Sequence, residues 1–152
     1  MKIVTGVLLI LHGLISAAQA VGSFSSSEGV ANPDWLNWWP NPLGESWLLS
    51  QLGIGQSLFT IIAGVLGLAS GVCIIAAGLG LFGFVIPLHW WRPLAGAGAA
   101  LSLIYFAIYA HPFFAVGIGA NIAILYIFGY LFPDHGAWGQ WVIYIFQPAS
   151  LR

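Results

Sequence analysis

An ionisable side chain inside a long apolar run is costly in a bilayer and is a functional suspect for that reason. Here one such residue, His12, sits within the run Ile3 to Val21. At about 1.5 Å of rise per helical residue, His12 lies roughly 14 Å from the start of its run. Asn121, about eight residues into the last apolar run, reaches nearly the same depth when that run is traversed in the opposite direction. The two are expected in one packed layer, with a direct bond between them open. A neutral imidazole donating to a carbonyl or amide would fix helix register; contact with a quinone, pigment or lipid headgroup is the alternative.

A second polar group gathers near the other end of the runs. Gln19, Gln56, Ser57 and Thr60 stand close in depth to Tyr109 and His111, and together they could form a ligand pocket opening outward. The remaining histidines, His89 and His135, belong to the opposite face, so neither supplies a second haem ligand at the depth of His12. Without a carboxylate or cysteine cluster beside them they read as interfacial residues rather than a metal site. Catalytic residues are not identifiable: no nucleophile-base set or phosphate-loop spacing occurs, and no Asp, Glu, Lys or Arg lies in a span to relay protons. The lone Cys73 excludes an internal disulfide or a dithiol redox pair.

The elements that must position these residues follow from composition. Of 152 residues 60% are hydrophobic and only 5% charged, too few to wet a soluble surface. A net charge of −1 implies no nucleic-acid partner. The reading is an all-α integral membrane protein, an antiparallel four-helix bundle forming a single transmembrane domain over residues 1–152. Spans are expected at about 3–21, 53–85, 94–110 and 114–132, with an outer loop at 22–52 and an interfacial tail at 133–152. His111-Pro112 separates the last two runs as a tight hairpin, because proline disfavours helix in the residue before it. Prolines and tryptophans all fall at or outside the proposed ends, and the tryptophans divide into two aromatic belts.

Lys2, Arg92 and Arg152 fall on one side of this topology, whereas the 22–52 loop holds Glu28, Asp34 and Glu45 and no base. Basic residues favour the cytoplasmic side, so both termini are expected inside the cell, with the chain in the plasma or inner membrane. Ala18-Gln19-Ala20 fits a signal-peptidase site, but His12-Gly13 and a run of full span length favour a retained first helix. Close backbone approach is expected at Gly64, Gly67 and Gly71 of the second span, Gly96 of the third and Gly117 of the fourth.

Leu11-His12-Gly13-Leu14, Pro42-Leu43-Gly44-Glu45-Ser46-Trp47-Leu48-Leu49, Trp90-Trp91-Arg92-Pro93-Leu94 and His111-Pro112 give the chain a resemblance to small bacterial four-span proteins of the DoxX-like kind. The resemblance implies a four-span bundle and, for some relatives, association with quinol oxidases or with thiol and sulfur redox systems. The solitary Cys73 departs from any dithiol version. The leading expectation is a non-catalytic accessory or structural subunit of a larger membrane complex, touching lipid and either other membrane subunits or copies of itself. A quinone-linked redox protein and an oligomeric transporter or channel are the alternatives, and no cofactor is required by the sequence.

Overall fold

Helix α1 runs from Lys2 to Ser25, α2 from Gln56 to Phe82, α3 from Trp91 to Ile108 and α4 from Ala115 to Gly129. They pack antiparallel in an all-α arrangement. This computed structural model describes residues 2–25, 31–40, 42–46, 48, 52–53 and 56–129, with backbone only at 22–25, 56–59 and 128–129. The expected end of the fourth span at 130–132, the 133–152 tail with Arg152, and Trp47, Trp138, Trp141 and His135 lie outside the described residues. Three segments, Lys2–Val21, Thr60–Phe82 and Leu88–Ile108, are long and apolar enough to cross a membrane, and Pro112–Ile127 is a shorter apolar stretch.

The second helix is shorter than the apolar run that encodes it, ending at Phe82 rather than Val85. The cause is local. Gly83 takes φ 72°, its N–H donates to Gly80 O at 3.1 Å, and the Phe84 N–H donates to Leu79 O at 3.1 Å. That pair of bonds is a Schellman cap, which satisfies terminal carbonyls and turns the chain out of the helix. Val85 follows at φ 62°, with Ile86 N bonded back to Phe84 O at 2.6 Å, a γ-turn centred on a β-branched residue. After a short turn at Leu88–Trp90, α3 begins three residues before the expected 94, with Trp91-Arg92-Pro93 as its first turn. Proline is tolerated there because N–H groups of a first turn have no intrahelical acceptor. The Arg92 guanidinium lies over the Trp91 ring, 5.4 Å from its centroid.

Small residues decide how α1 and α2 meet. Gly6, Gly13 and Ala20 recur every seven positions along α1 and face Gly78, Gly71 and Gly67 of α2. A seven-residue seam keeps one face against a partner only when the helices wrap left-handedly. A Cβ added at Gly78 would lie 2.8 Å from Gly6 O, and one at Gly67 would lie 2.8 Å from the Ala20 methyl. Of the expected packing glycines, Gly67 and Gly71 therefore sit in the closest interface, Gly64 is buried, and Gly117 lies under the Phe106 ring. Gly96 does not pack closely: nothing among the described residues lies within 4 Å of where its Cβ would be. The close approach on α3 is made two residues on by Gly98, whose added Cβ would meet the Ile74 side chain at 2.5 Å. One helical residue turns the face by about 100°, so Gly96 and Gly98 look in nearly opposite directions.

Candidate functional site

Each helix contributes one buried polar side chain to the middle of the bundle: Ser16 on α1, Ser70 on α2, Ser102 on α3 and Asn121 on α4. Half-buried His12 joins them. The His12 Nε2 lies 3.1 Å from Asn121 Oδ1, so the two residues matched in depth are in hydrogen-bond contact. Asn121, 0% exposed, donates from Nδ2 to Ser102 Oγ at 2.9 Å and to Gly117 O at 2.8 Å. Ser16 donates to His12 O at 3.0 Å, and Ser70 donates to Gly98 O at 2.8 Å, tying α2 to α3.

These contacts fix the tautomer of His12. Gly117 O can only accept, so the amide nitrogen of Asn121 must face it and Oδ1 must face the imidazole. A neutral imidazole at His12 therefore carries its proton on Nε2, which donates, and leaves Nδ1 as the acceptor. The bond also ties α1 to α4, while Ile124 of α4 packs against the cluster of Leu9, Ile74, Ala77, Leu81 and Ala95. Without a partner, Asn121 would leave an amide oxygen buried in hydrocarbon, a penalty of about 1–3 kcal/mol.

Of the second polar group, two members are enclosed. His111 and Tyr109 are 5% and 7% exposed. Tyr109 packs with Ala63, Tyr105, Phe106 and Phe114, and His111 sits at the edge of this aromatic cluster, 6.2 Å from the Phe114 ring. Extended at φ −138° before Pro112, His111 accepts the Phe113 N–H on Nδ1 at 3.1 Å and so caps the turn that opens into α4. Its Nε2 then donates to Asn32 Oδ1 at 3.0 Å, and Asn32 Nδ2 donates to Trp39 O at 3.0 Å. Nearby, Ser46 donates to Ile108 O at 2.7 Å, closing the carbonyl end of α3. The loop between α1 and α2 is thus strapped across the hairpin, with Leu36 fully buried and Trp35 and Trp38 exposed. Trp39 Nε1 is enclosed there with no hydrogen-bond partner among the described residues. Gln19 and Thr60 are half-buried and engaged in contacts of their own. The Gln56 and Ser57 side chains lie outside the described residues.

Sequence reasoning missed Ser16, Ser70 and Ser102 as members of the central layer, and Asn32 and Ser46 as the loop's anchors. Ser102 carried a usable signal, since it lies at a depth on α3 similar to that of Asn121 on α4. The loop anchors carried none, because no periodicity links a loop residue to a helix end 62 or 79 positions away. Among the described residues, no three metal-ligating side chains cluster, and His89 is exposed beside Trp90. No family model, curated protein or solved structure matches this chain.

Proposed function

We propose that this chain is a multi-pass membrane protein of the plasma or inner membrane with a non-catalytic role, an accessory or structural subunit of a larger membrane complex, its N-terminus on the cytoplasmic side. The observation that carries this reading is the use made of the central polar side chains. Ser70 bonds to Gly98 O and Asn121 bonds to Ser102 and His12 across helices, which locks α1, α3 and α4 together and α2 to α3, while Ser16 bonds within its own helix. Lateral contact is left to the outer faces, where Val65 and Val72 of α2, Ile104 of α3 and Val116 and Ile122 of α4 are exposed and apolar. Purification in a mild detergent followed by native mass spectrometry tests the proposal. A second polypeptide at fixed stoichiometry is the expected result; a monodisperse monomer with no second chain would overturn the accessory-subunit role.

A further inference from the structure

His12 has one nitrogen committed and one open. Nε2 donates to Asn121 Oδ1 at 3.1 Å, while Nδ1, the acceptor, has no hydrogen-bond partner among the described residues and is not enclosed by them. Around it, the outward face of α1 presents Leu8, Leu11 and Ile15, all exposed. At mid-depth in a bilayer no water reaches such an acceptor, and an unmet acceptor in hydrocarbon is unfavourable. Its complement must donate a hydrogen bond and be apolar elsewhere.

We propose that His12 Nδ1 is the anchor of a binding site for a lipid-soluble hydroxyl compound, an alcohol or phenol on an apolar body, whose O–H donates to the nitrogen while the body lies along Leu8, Leu11 and Ile15. Ketones, esters and ethers bring only acceptors and are rejected. Asn121 is the positioning residue: by holding the proton on Nε2 it keeps Nδ1 an acceptor, so it sets selectivity without touching the ligand. The inference rests on α1 spanning a membrane and is independent of any accessory-subunit role.

The test uses the full chain, histidine-labelled with nitrogen-15, in nanodiscs of phosphatidylcholine, which has no hydroxyl donor. A long-chain alkylphenol and its methyl ether are titrated separately. The phenol should shift the His12 Nδ1 resonance saturably and the ether should not. Asn121→Leu frees the tautomer and should reduce the phenol-to-ether preference about twofold, because only the fraction of rings with the proton on Nε2 then offers Nδ1 as an acceptor. The double variant His12→Phe/Asn121→Leu removes both polar partners, should fold, and should lose the phenol preference entirely. Equal shifts from both probes, no shift from either, or an Nδ1 already hydrogen-bonded before any probe is added would overturn the site; the last outcome would give that nitrogen to a protein donor. A lipid spin-labelled at mid-chain checks depth separately. Failure to broaden His12 would remove the membrane-spanning premise, whereas broadening without a phenol shift would remove the site alone.

Discussion

Gly13 and Gly71 meet backbone to backbone: a Cβ on Gly13 would stand 2.8 Å from Gly71 O, and one on Gly71 would stand 2.7 Å from Gly13 O. The contact is reciprocal, so the α1–α2 interface has no slack on either side. It also sits one residue from His12, so the depth of the imidazole is set by how far α1 can slide along α2.

Gly71→Val should therefore separate the helices and destabilise the protein by about 2–3 kcal/mol through overpacking. Gly96→Ala is the contrasting variant, since its added methyl meets nothing among the described residues and alanine favours helix over glycine by about 1 kcal/mol. It should be neutral or stabilising. Denaturation in mixed micelles, followed by helical circular dichroism, reads both.

The His12–Asn121 pair should show coupling. His12→Phe alone leaves Asn121 Oδ1 buried without its donor, while the double variant His12→Phe/Asn121→Leu removes the polar demand on both sides. A double-mutant cycle should give an interaction of about 0.6–1.7 kcal/mol, the range for hydrogen bonds between membrane helices. A coupling near zero would mean the contact does not contribute to the bundle.

Release of the loop between α1 and α2 should follow from Asn32→Ala, which removes the acceptor for His111 Nε2 and the donor to Trp39 O together. Hydrogen exchange should report lost protection at the Leu36 and Trp39 amides, which donate to Pro33 O and Leu36 O. Exchange within α1 and α2 should be unchanged, because the strap anchors on the α3–α4 hairpin. Spread of the effect into α1 would show that the loop supports the whole bundle.

Val85→Gly should stabilise the protein. Val85 is 97% exposed at φ 62°, so glycine loses no packing and relieves backbone strain of about 1–3 kcal/mol, offset in part by greater freedom of the unfolded chain. A net gain of about 1 kcal/mol in the same micelle denaturation is expected.

Much of the architecture was legible because the solvent of an apolar helix constrains it so strongly. Ile3 to Val21 read as one span and lies within a continuous helix, and His111-Pro112 read as a turn and is one, since the proline ring restricts the residue before it. The helix ends were less legible. Hydropathy continues unbroken from Gly53 to Val85, while the helix stops at Phe82, where Gly83 adopts a left-handed cap that an apolarity count does not register. Pro93 pointed to a start at 94, yet α3 begins at Trp91, because a proline fits a helix's first turn as readily as it precedes one.

For the polar side chains the division is sharper. The sequence by itself determined that His12 and Asn121 lie at one depth, because rise per residue converts position into distance along an axis. It also determined that glycines would mediate packing, since helices without a hydrophobic drive to associate need close approach. Only the tertiary structure decided direction around each axis: that Gly98 rather than Gly96 faces α2, that Asn121 presents its oxygen to His12 and its nitrogen to Ser102 and Gly117, and that His111 is enclosed beneath the loop. The physical reason is that depth is a property of one helix, whereas azimuth and hydrogen-bond polarity exist only once a second helix supplies the partner.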